Sequence, residues 1–513
     1  MKVIFERVFN LRLIFLTVIP AAWLFFFLGQ WKDIFGLAYS PDSFAYLLLG
    51  SNIWDGNGFV SPSIRDFNMP LSGEFLEPSR SFPPLMPILV GFVNKVFETG
   101  IASGLFLNMA ILSGIFFIYN LYLYKKMNFL GFALSVILPV FALRSGPFAD
   151  EVLAGRAIPL VLFFLFLILY WLSEDELSPS SAIKIGVAMG LAYLTRFDAI
   201  IFCFLFLIWL KFQVKTKVWC YTLLTFLVTI SPWLIRNIMQ FGTPLASDNS
   251  ITAMSIYPGP GSISIFADKI PMISDDVGLW ITQRMSYVLE NIKVLWRVLA
   301  EVCGIFAPLV FVFFFVSFFK REGTENLRPL TLLWVLGNFM GTSLTPYHDA
   351  RYFSISACLL LLTATSCIFH IVIRASHHKV GHGQAIRFSS LVVLAIMPLL
   401  IMLGVAFSSY RSSISRDDRQ AVYIRKIVEQ FKNFVPDRAL VAATLAEHVA
   451  YYSTWKTIYL PVNAENMTEH FMKYVQKFRI EYLILPEKSN LVESLKLPIL
   501  ARWNGIVLVK TSE

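Results

Sequence analysis

The sequence has little charge for its length. Charged residues occupy only 15% of the 513 positions, whereas 56% are hydrophobic and 15% are aromatic. A polar surface around a large domain cannot be built from this composition, which excludes a soluble globular protein. Lys and Arg exceed Asp and Glu by 43 to 34, but 48 Phe and 12 Trp along the chain argue against nucleic acid as a partner.

Cysteine and processing signals are scarce as well. The five cysteines lie in or at the ends of apolar stretches, so the sequence predicts no disulfide framework. No small-residue cleavage site follows the apolar run after Arg12, which therefore indicates a retained membrane span and not a secretory signal. The sequence also shows no internal repeat and no low-complexity tract.

Long apolar runs are what the sequence has instead. About eleven of them are long enough, or nearly so, to cross the roughly 30 Å hydrocarbon core of a bilayer. They are Leu11–Gly29, Ala102–Tyr124, Phe129–Leu143, Ala157–Leu172, Ala182–Thr195, Ala199–Leu210, Val218–Ile235, Trp296–Phe319, Pro329–Thr345, Phe353–Ile373 and Phe388–Phe407. We therefore predict a mainly α protein, a polytopic membrane helical bundle of about eleven spans.

Basic residues in short loops predict the orientation of this bundle. If the apolar stretch Pro83–Phe97 lies along the interface and does not cross, the short basic loops, such as the one with Lys125 and Lys126, join the N-terminus on the cytoplasmic side. The same number of crossings places two long loops on the outer side, residues 30–101 and residues 236–295.

The end of the chain has a different character. A polar helical pattern over Asp418–Phe434 alternates with short β-prone runs. These runs are Leu440–Ala443, Thr457–Leu460, Tyr482–Leu485 and Ile506–Val509. We therefore divide the chain into a transmembrane domain, residues 1–408, and a small C-terminal extracytoplasmic α/β domain, residues 409–513.

Ionisable residues collect at one side of the predicted bundle. The middles of the spans are almost free of them, whereas many lie at or just beyond the predicted outer ends. These are Asp42, Asp150, Glu151, Arg156, Arg196, Asp198, Arg236, Glu301, His348, Asp349 and Arg351. An ion-coupled transporter is expected to hold charges near the bilayer midplane. Charges at one interface favour an enzyme whose substrate has its tail in the bilayer, although solvated helix ends are the alternative for any single residue.

Six segments in order resemble a family. They are YSPDSFAYLLLGSNIWDGNGF, SRSFPPLMPILVGFVNKVF, FADEVLAGRAIPLVLF, GLAYLTRFDAIIF, SPWLIRNIMQFGTPL and DARYFSISACLLLL. Their order and spacing are similar to those of the GT-C type polyprenyl-phosphate-sugar-dependent glycosyltransferases. Protein O-mannosyltransferases and the bacterial lipid A aminoarabinose transferase group are the nearest in pattern. The resemblance covers essentially the whole chain, and the bacterial character of the tail implies a bacterial inner membrane.

The resemblance implies roles for individual residues. Asp42 matches the acidic residue that serves as the catalytic base, and Glu151, in preference to Asp150, matches the acidic position of the next outer loop. The arginines that match cations near the donor phosphate are Arg80, Arg236 and Arg351. Many relatives have a second acidic residue after the first and a Lys before the Pro-Pro pair, whereas this chain has Ser43 and Phe82 at these positions.

The chemistry of a sugar phosphate agrees with these roles. Phosphate is a good leaving group, so one carboxylate that takes the proton of the incoming hydroxyl or amine is sufficient. Arginines stabilise the charge that develops on the departing phosphate. The implied function is an inverting transfer of a sugar from a polyprenyl-phosphate-linked donor to a lipid, glycan or protein acceptor. Membrane lipids surround the protein and are implied partners as well.

Several alternatives stay open from the sequence. Asp42 could cap a helix, because Ser-Pro-Asp-Ser before an apolar run is a helix start signal. Arg196 and Asp198 could form an ion pair between two short helices or contact substrate. His348 beside Asp349 is a weak metal pattern, so no cofactor is assigned and a divalent metal stays open. A lipid-linked sugar transporter, or a scaffold without catalysis, is the alternative function.

Overall fold

The structure is a computed structural model that describes most of the chain. The described residues are 40–61, 63–64, 77–127, 134, 137–256, 272–319, 325–346, 348–377, 417–460, 471–472, 475–476, 479–495 and 497–511. The predicted spans Leu11–Gly29 and Phe388–Phe407 lie outside the described residues, as does the predicted cytoplasmic N-terminus.

Helices make up most of the described part of the chain. They are α1 (Pro41–Trp54), α2 (Leu85–Phe97), α3 (Ser103–Met127), α4 (Ile137–Arg144), α5 (Gly146–Leu153), α6 (Ile158–Leu172), α7 (Pro179–Thr195), α8 (Ala199–Gln213), α9 (Thr216–Phe241), α10 (Asp248–Met254), α11 (Val277–Cys303), α12 (Ala307–Phe319), α13 (Leu327–Ser343), α14 (Ser354–His377), α15 (Asp417–Phe431), α16 (Ala446–Tyr452) and α17 (Asn490–Leu495). The predicted mainly α architecture is confirmed.

Four stretches of the described helices are long and apolar enough to cross a membrane. They are Gly100–Leu123, Thr216–Phe241, Val277–Phe319 and Ala350–Ile368. A fifth crossing results if α5 and α6, which meet at an angle of 104°, count as one broken span. The chain is thus a multi-pass membrane protein, but the described helices do not confirm the predicted count of about eleven. Several predicted spans, such as Ala199–Leu210, correspond to helices that are short for a bilayer.

Helix α1 begins as its sequence predicts, with one difference in the residue that caps it. The Ser40 side chain accepts a hydrogen bond from the Ser43 backbone N–H, and Pro41 occupies the first helical position. Asp42 lies in the first turn, where a negative charge is favourable, but it is not the cap. The carboxylate of Asp42 is therefore directed by contacts outside the helix.

Helices α1 and α2 approach each other backbone to backbone. A Cβ added at Gly50 would lie 2.3 Å from the Pro87 carbonyl oxygen, and one added at Gly91 would lie 2.5 Å from the Gly50 carbonyl. Only glycine permits this contact. The ring of Phe92 of α2 lies 5.5 Å from that of Trp54 of α1, and Phe97 of α2 is exposed.

Pairs of helices form the apolar core of the membrane part. Helix α3 packs on α6, α7 on α9, α8 on α13 and α12 on α14. Between α3 and α6, the rings of Tyr119 and Phe166 are 5.3 Å apart and both are buried. This packing fixes the helix ends around which the polar residues collect.

A six-stranded sheet forms near the C-terminal end. Its strands are β2 (Ser63–Ile64), β4 (Leu440–Ala443), β5 (Lys456–Tyr459), β6 (Tyr482–Pro486), β7 (Ile499–Trp503) and β8 (Ile506–Lys510), and their order is β2-β5-β4-β6-β8-β7. The first four strands in that order are parallel to one another, and β8 is antiparallel to both of its neighbours, β6 and β7. A separate ladder joins β1 (Val60–Ser61) to β3 (Glu77–Pro78). The predicted small C-terminal α/β unit is confirmed.

Apolar side chains cover both faces of this sheet. Ile427 and Phe431 of α15 pack on one face, and Phe471 and Leu491 belong to the cluster on the other. Strand β2 does not come from the C-terminal segment but from the first loop, and Ser63 is the register partner of Thr457. The loop after α1 is therefore hydrogen-bonded to the C-terminal sheet.

Candidate active site

A polar cavity lies where α1, the α5–α6 break, the turn before α8 and the start of α14 meet. Its volume is about 230 Å³. Seven of its sixteen lining residues are acidic or basic, and these are Asp42, Glu151, Asp198, Asp248, Arg156, Arg196 and Arg351. Five of these seven residues are among the site residues predicted from the sequence.

Arg351 connects the two predicted carboxylates. Its Nη1 lies 3.1 Å from Asp42 Oδ2 and 3.9 Å from Glu151 Oε1. Arg351 lies in the short 3₁₀ helix Ala350–Phe353, which Asp349 caps by accepting from the Arg351 backbone N–H. Asp42 and Arg351 are separated by 309 residues in the chain. The fold thus brings the first turn of α1 against the turn that precedes α14.

A second ion pair lies beside the first. Glu151 is only 2% exposed, and its Oε1 lies 2.9 Å from Nη1 of Arg156. The Arg156 Nε donates to the Ser40 hydroxyl at 2.8 Å. The break between α5 and α6 holds this pair, because the Asn108 amide donates to the Glu151 and Arg156 carbonyls there. Asp42 and Glu151 are therefore linked through two arginines and the cap of α1.

Arg196 and Asp198 form the ion pair that the sequence left as an alternative. Two guanidinium nitrogens of Arg196 lie 3.0 and 2.7 Å from the two carboxylate oxygens of Asp198. Both residues line the cavity, and the Arg196 guanidinium lies 5.0 Å from the centre of the Tyr352 ring. The pair therefore joins α7 to α8 and also forms one wall of the cavity.

Arg80 and Arg236 lie in a neighbouring region. Arg80 Nε is 3.1 Å from Asp248 Oδ1, and Asp248 lines the cavity. The Arg236 guanidinium is surrounded by aromatic rings, with centres 4.6 Å away for Trp233, 5.0 Å for Phe241 and 5.4 Å for Phe59. Arg236 does not line the cavity, and no ion pair within the described residues includes it.

Two further predicted residues also lie outside the cavity lining. Asp150 is exposed, unlike its neighbour Glu151. His348 is half-buried, and its Nδ1 lies 2.9 Å from Asn291 Oδ1. Burial lowers the pKa of the His348 imidazole, with a nearby Glu290 carboxylate opposing this shift, so the ring is neutral near pH 7.

Some cavity residues carried no assigned role in the sequence. Tyr352 follows Arg351 in the chain, and its hydroxyl accepts from Arg351 Nη2 at 3.1 Å. Tyr46 is buried beside Asp42 and Glu151, and burial followed by these two charges raises the pKa of its phenol. A phenol that stays protonated can donate a hydrogen bond to a ligand. In the sequence, only the position of Tyr352 directly after Arg351 could have indicated that Tyr352 lines the cavity.

A second, more apolar cavity adjoins the first. Its volume is about 290 Å³. Apolar residues such as Ile200, Leu245 and Leu344 line most of it. Both cavities share the wall residues Arg196, Phe197, Asp198, Asn249 and Tyr352. A ligand with a polar head and an apolar tail can therefore contact both.

The donor set for a metal is poor within the described residues. No group of three or more His, Cys, Asp or Glu side chains there is arranged to hold a metal ion. His348, which the sequence offered as a weak metal pattern, contacts an amide oxygen, and the neighbouring Asp349 pairs with Arg351 at 3.0 Å. The described residues therefore do not fit the divalent metal that the sequence left open.

Comparison with known proteins rests on structure alone. No protein-family model and no curated protein matches the sequence. The apo structure of ArnT, the lipid A aminoarabinose transferase, from Cupriavidus metallidurans is similar with a TM-score of 0.56 and 11% identity. The similarity covers 96% of this chain and 98% of that chain.

Two further structures extend this comparison. ArnT from the same organism bound to undecaprenyl phosphate gives a TM-score of 0.56 at 10% identity, over 96% of this chain and 98% of that one. The apo oligosaccharyltransferase of Archaeoglobus fulgidus gives 0.51 at 11% identity, over 88% of this chain and 66% of that one. The chain therefore has the fold of the GT-C glycosyltransferases, which is the fold that its sequence motifs predicted.

Proposed function

We propose that this protein is an integral-membrane inverting glycosyltransferase. It moves a sugar from a polyprenyl-phosphate donor to a lipid, glycan or protein acceptor on the outer face of the membrane, with Asp42 as the general base. The observation that carries the proposal is the cavity in which Asp42, Glu151 and Arg351 meet beside an apolar cavity. The GT-C fold supports it, and one ArnT structure with this fold contains undecaprenyl phosphate.

The reaction follows from the groups in the cavity. The acceptor hydroxyl or amine attacks the anomeric carbon while the Asp42 carboxylate takes its proton. The bond between the anomeric carbon and the phosphate oxygen breaks, and its electron pair stays on the phosphate. One displacement opposite the leaving group inverts the anomeric centre, unlike the double displacement of retaining hydrolases.

Arg80 and Arg236 are the arginines that we assign to the donor phosphate. Arg236 is partly desolvated by aromatic rings, and no described carboxylate pairs with it. Arg80 lies 6.0 Å from the ring of Phe241, which Arg236 also contacts. Two cations near one aromatic ring beside the cavity attract a phosphate, which competes with Asp248 for Arg80.

The apolar cavity suits the tail of the same donor. Burying apolar surface stabilises a bound chain by roughly 25 cal/mol per Å². Tyr352 and Arg196 line both cavities, so a donor can extend from one cavity to the other past these residues. The apolar cavity therefore suits the polyprenyl tail of the donor, and the polar cavity suits its sugar.

The location and the domain boundaries that we propose are those predicted from the sequence. We place the N-terminus in the cytoplasm of a bacterial inner membrane, with the polar cavity and residues 409–513 on the extracytoplasmic side. Residues 1–408 form the catalytic transmembrane domain in this proposal. A cysteine-accessibility assay on intact cells, with single cysteines at Lys126 and Lys488, tests it: only the second is expected to react from outside.

Replacing the base tests the proposed function. Asp42→Asn keeps the shape of the side chain but removes the proton acceptor, so kcat should fall about 10²- to 10⁴-fold. The assay is transfer of labelled sugar by purified protein, with the donor lipid identified by mass spectrometry of the co-purified lipid.

A control at the other end of α1 separates catalysis from folding. Asp55 forms an exposed ion pair with Lys95, and Asp55→Asn should leave the transfer rate unchanged. Full activity in Asp42→Asn would remove the proposed mechanism. Translocation of intact donor across vesicles without bond cleavage would instead support a transporter.

A further inference from the structure

One guanidinium nitrogen lies between the two carboxylates of the polar cavity. Nη1 of Arg351 is 3.1 Å from Asp42 Oδ2 and 3.9 Å from Glu151 Oε1. The rest of the guanidinium is held as well, since Nε is 3.0 Å from Asp349 Oδ2 and Nη2 donates to the Tyr352 hydroxyl. Arg351 is thus oriented by groups on its own turn and directed at both acids.

A divalent cation bound by the same acids would need this space. Magnesium or calcium binds carboxylate oxygens at about 2.0–2.6 Å, so an ion shared by Asp42 and Glu151 would lie between their oxygens. Nη1 of Arg351 is already 3.1 Å from the Asp42 oxygen and 3.9 Å from the Glu151 oxygen, so its positive charge is next to both of them. Glu151 also has a closer partner, because its Oε1 lies 2.9 Å from Nη1 of Arg156. An ion could enter only if Arg351 moved and Glu151 exchanged its partner.

We propose that Arg351 is a built-in cation that takes the place of a divalent metal between Asp42 and Glu151, so that sugar transfer by this protein is metal-independent. Arg351 is then a positioning residue of the base, not a ligand of the donor phosphate, and this inference rests on the proposed function. The ion pair holds the Asp42 carboxylate in one orientation, which a proton acceptor needs.

The guanidinium differs from a metal in two testable ways. It carries its charge at every accessible pH and cannot be removed by a chelator. It also neutralises carboxylates that would otherwise attract a divalent cation. Removing it takes away the ion-pair partner of Asp42 and Asp349, while Glu151 keeps Arg156 and Arg196 stays paired with Asp198.

Manganese binding to the full-length protein tests the inference without any transfer assay. Electron paramagnetic resonance of added Mn²⁺ should show no specific site in the wild type. Arg351→Ala should gain a site with at least about tenfold tighter binding, since its acidic cluster has lost a counter-charge. A wild-type Mn²⁺ site that disappears in Asp42→Asn would overturn the inference.

The transfer rate provides the second measurement. A chelator should leave the wild-type rate unchanged, whereas Arg351→Ala should lose about 10²- to 10³-fold in kcat and recover part of it with millimolar guanidinium. Arg502→Ala, which removes an exposed ion pair with Glu487, is the matched control and should match the wild type.

The outcomes separate this inference from the proposed function. A wild-type rate that falls with the chelator and returns with Mg²⁺ would overturn metal independence while leaving the transferase in place. Wild-type activity in Arg351→Ala would also overturn it. If the purified protein transferred no sugar at all, the proposed function would fail, and the Mn²⁺ titration would still decide which cation the acids prefer.

Discussion

Two sides of α1 are held in different ways. On one side, Asp42 and Ser40 contact arginines of the membrane part, at 3.1 Å from Arg351 and 2.8 Å from Arg156. On the other side, the buried ring of Phe44 lies 4.2 Å from the His448 ring and 5.0 Å from the Tyr451 ring of α16. A short helix with polar contacts on one side and aromatic packing on the other can be positioned accurately without being long.

The two sides of α1 show separately what orients the Asp42 carboxylate and what stabilises the position of the helix. Polar contacts are directional, so they determine where the Asp42 carboxylate points. Aromatic packing is larger in buried area and less directional, so it contributes most of the free energy that keeps α1 in place. The two sides should therefore respond differently to substitution.

Removing the aromatic side should have the largest effect on stability. Phe44 is 0% exposed, so Phe44→Ala should destabilise the protein by about 3–5 kcal/mol through lost burial and a cavity. Thermal unfolding in detergent measures this change. Phe434→Ala, at a Phe that is 49% exposed, is the control and should leave the unfolding temperature nearly unchanged. Equal effects of the two substitutions would contradict the packing of Phe44.

The contact between α1 and α2 should be the next most sensitive. A methyl group at Gly50 would lie 2.3 Å from the Pro87 backbone oxygen, so Gly50→Ala should cost about 1–3 kcal/mol as the helices move apart. Gly278→Ala is the control, because the nearest atom to a Cβ there is 3.4 Å away. Unfolding temperatures of both variants are compared, and an unchanged Gly50→Ala would refute the close approach.

Removing the cap should have the smallest effect on stability but a specific effect on catalysis. Ser40→Ala should destabilise the protein by about 0.5–2 kcal/mol, because α1 loses its cap and Arg156 Nε loses an acceptor. Ser178→Ala removes the equivalent cap of α7 away from the cavity. Both should lower the unfolding temperature similarly, whereas only Ser40→Ala should lower kcat. Equal kcat values would show that the polar side of α1 does not position Asp42.

Local patterns predicted the elements of the fold well. The apolar runs correspond to helices such as α7 and α8, and the β-prone run Leu440–Ala443 corresponds to β4 at the same residues. Strand β2 was missed because it contains two residues and pairs with a strand almost 400 residues later. No local sequence pattern carries information on such a partner.

The sequence indicated several residues that line the polar cavity, but not the contacts between them. The motifs indicated Asp42, Glu151 and Arg351, and the fold brings all three to one cavity. The contact of Arg351 with both acids depends on packing between α1 and the turn before α14, so it could not be derived from the sequence. Arg236 illustrates the same limit, because the aromatic rings around it come from residues 59, 233 and 241.

Strand β2 has a consequence for how the protein matures in the cell. The loop that follows α1 completes the edge of a sheet whose other strands begin only at Leu440. During synthesis the ribosome must therefore finish most of the chain before this loop can reach its final hydrogen-bonding partner. This loop therefore takes its place in the sheet late in translation, after the described membrane helices have been synthesised.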